Sequence, residues 1–268
     1  MHNRCGVHVC LVAVLVVVGL PFGVVGRGWG QCEAHSGLCA PVNSLGDGSG
    51  GETLAPEPEE GFSYMFSFGA NIGSKVFEAT GVKAVVSVPA ILNHYCLVFN
   101  ARVGYEKDTV FANVKRSRSN CVHGVVHKIA TKDLEAVFDV REQCHVRKPK
   151  SVVTYGGVRV KAEVYFGNNG SRRKVRPEDL APFKPTERYL KLLYCGAKER
   201  KLDEKYVRML RKRVAKLTKM GAEEGIDCDD LKTLPTPEKK SPKEAKCPWG
   251  GREAQTLNQR TKDTTRRL

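Results

Sequence analysis

A carboxylate and a turn of small residues are the groups in this 268-residue chain with the clearest chemical use. The turn is Gly69-Ala70-Asn71, which follows the apolar run Tyr64-Met65-Phe66-Ser67-Phe68. A strand ending in such a turn presents consecutive backbone N–H groups, and those can hold a carboxylate or an oxyanion. The same pattern also ends many strands for purely structural reasons. The carboxylate is Glu142, in Asp139-Val140-Arg141-Glu142. On an open surface it is an ordinary solvated acid. Enclosed in a pocket, its pKa rises and it can serve as a general base. Tyr165 and Tyr189 carry an apolar ring with a hydroxyl at its tip, which suits the rim of a core as well as the wall of a site. His123 and His127 are four apart, but in a Val-rich strand that spacing is about 13 Å, too far for one metal ion. The sequence contains no nucleophile elbow, phosphate loop, dinucleotide fingerprint or zinc-spaced cluster.

These groups need elements to hold them. The run Tyr64–Phe68 reads as a strand that stops at Gly69, and Val82–Val88, Tyr95–Phe99, Val110–Val114 and Val122–Ile129 read as further strands. Thr131 is placed to cap a helix, with Leu134, Val137 and Phe138 on its apolar face and Glu142 just past its end. Ser151–Tyr155 and Val158–Phe166 form a hairpin around Gly156-Gly157. Thr186 starts a helix bearing Tyr189, Leu192 and Leu193, which Gly196 ends or turns sharply. Asp203 caps a second helix from Glu204 to Arg213 or a little beyond. Strands early and helices late argue for an α+β fold, a mixed sheet able to close into a small barrel with flanking helices.

The formal net charge is +15, and it is not spread evenly. Residues 143–197 carry 12 Lys+Arg against 4 Asp+Glu, and residues 198–213 carry 8 against 3. Such a surface attracts anions or simply keeps the chain soluble. No aromatic-interleaved stripe or nucleic-acid motif accompanies it, so no specific nucleic-acid partner is expected. Residues 1–26, a short basic start and an apolar run interrupted by Gly19-Leu20-Pro21, read as a secretory signal peptide, with an uncleaved membrane anchor as the alternative. That implies a secreted protein, or one in an organelle reached through the secretory pathway, with no membrane anchor once the signal is cleaved. Residues 27–61 read as a disordered linker, 62–217 as the folded domain and 218–268 as a disordered basic tail. Of the ten cysteines, Cys32 and Cys39 are close enough to close a small loop; Cys96, Cys121, Cys144 and Cys195 read as buried thiols.

Phe66–Asn71, Phe138-Asp139-x-x-Glu142, Tyr165 and Tyr189–Glu199, in that order and spacing, resemble the γ-glutamylcyclotransferases. The pattern from Tyr189 through Gly196-Ala197 and Glu199 to Tyr206 is the most specific part. The resemblance implies a small mixed barrel that converts γ-glutamyl amino acids to 5-oxoproline and the free amino acid, without metal or organic cofactor; the alternatives are a cyclotransferase acting on glutathione or another γ-glutamyl compound, and a non-catalytic binding module of the same fold that uses its basic face. It implies Glu142 as the general base. It implies a substrate site formed by Met65, Phe66, Ser67, Phe68, Gly69, Ala70 and Asn71 together with Tyr165 and Tyr189. The implied partner is a small γ-glutamyl compound, and a homodimer is left open. Phe68 stands where the family usually has a tyrosine, and Gln143 follows the acid where a glycine is usual.

Overall fold

The computed structural model describes Cys32, Cys39 and residues 55–101, 109–139, 145–167, 184–218 and 226–229. The expected signal segment 1–26 and nearly all of the expected tail lie outside these residues. Five strands form a closed barrel in the order β1-β3-β2-β4-β5. They are β1 (Phe62–Ser67), β2 (Val86–Ala101), β3 (Phe111–Ala130), β4 (His145–Thr154) and β5 (Arg159–Gly167). All the pairings are antiparallel except β1 with β5, which run parallel at Met65 and Glu163. The fold is therefore α+β with a small mixed barrel, as the sequence suggested.

The four short strands read between Val82 and Ile129 are in fact two long ones. β2 and β3 pair almost throughout, with irregularities between Asn93 and Tyr95 and between Phe99 and Ala101. His94 sits at the first of these with φ 64°, a left-handed conformation uncommon outside glycine but usable at a bulge. The β4–β5 hairpin turns at Gly157, whose φ of 81° requires glycine. Gly124 on β3 lets β1 lie close. A Cβ there would stand 2.2 Å from the Ser67 carbonyl oxygen and 2.7 Å from the Phe66 ring.

Helices cover the barrel. A 3-10 turn (Ala70–Ile72) leads into α1 (Ser74–Glu78). The α-helical turn α2 (Thr131–Asp133) passes straight into a π-helical turn, Leu134–Phe138. Thr131 is not the cap: Ala130 is, and the Thr131 hydroxyl instead meets Ser63 Oγ at 2.9 Å. The last two helices are α3 (Glu187–Glu199) and α4 (Glu204–Thr218). Thr186 caps α3 through the Tyr189 N–H, and Asp203 accepts from the Tyr206 N–H at the start of α4. Gly196 does not end α3, which runs three residues further. One apolar cluster joins the barrel to α3 and α4. A smaller one, containing Met65, Phe77, Leu134, Phe138 and Tyr165, lies between barrel, α1 and the π-turn.

The cysteines correct the sequence reading. Cys32 pairs with Cys96, Cys39 with Cys121, and Cys195 with Cys228. Cα separations of 5.6–5.7 Å are ordinary for disulfides. The segment read as a disordered linker is therefore fastened to β2 and β3, and from Ala55 it follows the barrel. The Ala55 N–H donates to the Arg159 carbonyl, while Glu59 and Glu57 pair with Lys128 and Lys161. The tail is fastened to α3 at Cys228.

Candidate active site

The turn after β1 is closed by two hydrogen bonds, Ile72 N–H to the Gly69 carbonyl (3.1 Å) and Gly73 N–H to the Ala70 carbonyl (3.2 Å). Neither bond uses the N–H groups of Ala70 and Asn71, which lead the turn. Of the seven residues expected to hold substrate here, Gly69, Ala70 and Asn71 are partly exposed. Met65, Phe66, Ser67 and Phe68 are buried. Phe66 and Phe68 pack together in the larger cluster, ring centroids 6.3 Å apart, while Met65 joins the smaller one.

Helix α3 holds this turn from the other side. Tyr189 Oη accepts from the Ala112 N–H at 3.1 Å and lies so near Gly69 that a Cβ there would meet it at 3.0 Å. Two turns on, Gly196 abuts Gly73: a Cβ on Gly196 would stand 2.6 Å from the Gly73 nitrogen. The Glu199 carboxylate accepts from the Ser74 N–H at 3.3 Å and from its hydroxyl. Arg200 Nε donates to the Ile72 carbonyl at 3.1 Å. At 3.6 residues per turn these positions share one face of the helix. The Tyr189–Glu199 stretch is thus a clamp on residues 69–74, and the Tyr189 hydroxyl is part of it.

A second anchor sits at the end of the π-turn. Tyr165 Oη donates to Asp139 Oδ1 at 2.7 Å, and Arg147 Nη1 lies 3.2 Å from Asp139 Oδ2. Strands β5 and β4 thereby fix the point from which the chain leads, three residues later, to Glu142. Glu142, with Arg141 and Gln143, lies outside the described residues. Tyr165 stands with Met65 in the smaller cluster and not against Tyr189. Beside it Glu163 is a second carboxyl of interest. Burial raises its pKa; Asp139 adds to the rise, while Arg147 and Lys161 oppose it. Perturbed carboxyls of this kind gather at functional sites.

His127 belongs to the same neighbourhood. It is fully buried on β3, its ring stacked on Phe77 at 4.1 Å, with Nδ1 2.8 Å from Ser87 Oγ. Nε2 meets no hydrogen-bond partner among the described residues. Burial, then the Arg200 guanidinium, push its pKa down to about 3, and the Asn71 backbone pulls the other way. The imidazole is neutral at every physiological pH and lies under the turn. His123, its strand neighbour, has a separate environment, with Nδ1 2.5 Å from Tyr155 Oη. No group of three or more His, Cys, Asp or Glu among the described residues could hold a metal ion. Sequence reasoning quoted Asp139 only as part of a motif and missed Arg147, Glu163 and the placing of His127. An acid or imidazole at an inward position of a strand was the only available signal.

No protein-family profile and no curated protein sequence matches this chain. Solved structures do. An uncharacterized human protein is 19% identical, with a TM-score of 0.46, over 60% of this chain and 100% of its own. A protein titled gamma-glutamyl cyclotransferase is 19% identical, with a TM-score of 0.45, over 60% of this chain and 99% of its own. A yeast gamma-glutamyl cyclotransferase specific to glutathione is 16% identical, with a TM-score of 0.44, over 59% and 97%. What the site can do must come from its own residues. They are a turn with leading N–H groups held rigid by α3, and an anchored approach for an acid.

Proposed function

We propose that this chain is a γ-glutamylcyclotransferase acting on γ-glutamyl amino acids. The observation that carries the reading is the clamp of α3 on the Gly69–Ser74 turn. Through Tyr189, Gly196, Glu199 and Arg200, the most specific motif in the sequence is spent on holding one short stretch of backbone. Rigid backbone donors are what an enzyme needs to orient a flexible substrate. The substrate carries its own nucleophile, the α-amine, which is protonated and unreactive at neutral pH. Glu142 takes a proton from it, and the freed amine attacks the γ-carbonyl carbon. The ring nitrogen then gives up a second proton, and the bond from that carbon to the leaving amino acid's nitrogen breaks as both protons pass to that nitrogen, the first of them by way of Glu142. A five-membered lactam, 5-oxoproline, and a free amino acid result, and no water is consumed. The Ala70 and Asn71 N–H groups hold the substrate's carboxylate or the developing oxyanion. Phe68 supplies no hydroxyl, so orientation rests on the backbone. The three disulfides among the described residues fit a protein that matures in an oxidising compartment such as the secretory pathway.

The test is 5-oxoproline release from γ-glutamyl-alanine, with glutathione in parallel, by the full chain and two variants. Glu142→Gln keeps the size of the side chain and is expected to lower turnover at least about a hundredfold while the protein stays folded. Glu163→Gln is expected to keep most of the activity. If Glu163→Gln is the dead variant and Glu142→Gln the live one, Glu163 is the base. Release of no 5-oxoproline from any γ-glutamyl compound by the folded wild type would sink the reading.

A further inference from the structure

Helix α4 carries an exposed line of cations that the proposed activity does not use. Lys205, Arg208, Lys212 and Lys216 are exposed. At 100° per residue they fall within about 80° of arc, and from first to last they run roughly 16 Å along the axis. Tyr206, Leu210 and Val214 are buried, which fixes this face outward. The only acid on the helix is Glu204, paired with Arg208 at 3.3 Å in an exposed i,i+4 contact. Such a pair contributes little and yields readily to a stronger anion. Like charges at i,i+4 spacing weaken a helix, and a face that served solubility alone would mix its signs.

We propose that this face docks a linear sulfated polysaccharide. The cations form a line and not a bowl, which suits an extended polyanion over a small one. Helix α4 shows no exposed aromatic on which bases could stack. Among its described side chains it also exposes no large apolar one to enter a bilayer: the exposed large hydrophobics among the described residues are Val85 and Val86, where β2 begins. The disulfides Cys32–Cys96, Cys39–Cys121 and Cys195–Cys228 belong to oxidising surroundings. There, linear polyanions are sulfated glycans more than nucleic acids. The inference stands on charge and placement and is independent of the cyclotransferase reading.

The experiment measures binding of the oxidised full chain to heparin across a salt series. It compares wild type with Lys205→Gln/Arg208→Gln/Lys212→Gln. A charge-matched control, Lys115→Gln/Arg116→Gln/Lys148→Gln, alters three exposed cations elsewhere. Expected is binding at physiological salt whose slope of log affinity against log salt falls by about three in the α4 variant. The control is expected to keep the wild-type slope, and non-sulfated hyaluronan to bind far more weakly. The proposal is overturned if wild type does not bind heparin at physiological salt, or if the two triple variants weaken equally. It is also overturned if duplex DNA or phosphatidylserine vesicles bind as tightly as heparin.

Discussion

Gly196→Ala tests the clamp most directly, because two local effects oppose each other and the structure says which wins. In a helix interior, alanine is favoured over glycine by about 0.5–1 kcal/mol. If α3 stood alone, the substitution would stabilise the protein. Here the new methyl would lie 2.6 Å from the Gly73 nitrogen, 2.9 Å from its Cα and 3.4 Å from the Ile72 carbonyl carbon. All three are backbone atoms, so no side chain can swing aside, and overpacking of this sort costs about 1–3 kcal/mol. The contact outweighs the propensity, leaving roughly 1–2 kcal/mol against folding. For a domain of this size that is a fall in Tm of roughly 2–8 °C. The turn must also move by a few tenths of an ångström, and kcat/KM for 5-oxoproline release is expected to fall about tenfold or more. Gly73→Ala is the companion: its methyl would meet the Gly196 Cα at 3.4 Å, a distance a small adjustment absorbs. Its effect should be smaller on both counts. Calorimetric Tm and steady-state kinetics on the three proteins decide the matter. A Gly196→Ala protein that melts above wild type would show that α3 does not press on the turn, and the account of the motif would fall with it.

Three further outcomes follow from named contacts. The His127 pKa is about 3 in the folded protein against 6.5 unfolded, so the unfolded chain binds the extra proton between those values. Its share of stability is complete above pH 6.5 and drains at up to about 1.4 kcal/mol per pH unit on acidification toward 3. His127→Phe keeps the ring on Phe77 and lacks that acid limb; denaturant unfolding should show the gap between wild type and variant shifting in the variant's favour by about 2 kcal/mol from pH 7 to pH 5, and parallel pH profiles would refute the buried neutral imidazole. Tyr189→Phe strips the Ala112 N–H of its acceptor and should cost about 1–2 kcal/mol along with a loss of kcat/KM; unchanged stability would mean that the hydroxyl is not engaged there. Finally, Cys32→Ser/Cys39→Ser removes staples that span 64 and 82 residues, each worth about 2–4 kcal/mol, and a chain trimmed to residues 62–218 should melt lower in the same way, with catalysis per folded molecule retained. Equal melting of trimmed and full chains would show that the pairs do not form.

What the sequence made legible was whatever a single segment decides by itself. Gly157 announces a hairpin because its positive φ is a local demand, and Thr186 and Asp203 announce helix starts because a cap reaches only three residues. What stayed hidden was every contact between distant segments. Gly196 looks like a helix end by local rules, but its reason is Gly73, far off in the chain. Cys39 looks like a partner for Cys32 by nearness, yet pairing is set by which strands the segment crosses, which spacing cannot reveal. The π-turn is hidden for another cause: Leu134 and Phe138, four apart, fit an α-helix equally well. The difference matters, because the wider turn changes the direction in which the next residue leaves the helix. π-turns recur at functional sites for that reason. Here the next residue is Asp139, and it is held by Tyr165 and Arg147. Tyr165 and Tyr189 were read as walls of a substrate site, yet each spends its hydroxyl on a protein partner, Asp139 in one case and the Ala112 N–H in the other. Tyr189 thereby ties α3 to β3 beside the Gly69 turn, and Tyr165 ties β5 to the end of the π-turn. A motif can therefore be legible as a motif while the contacts its residues make stay hidden, because the partners lie far off in the chain.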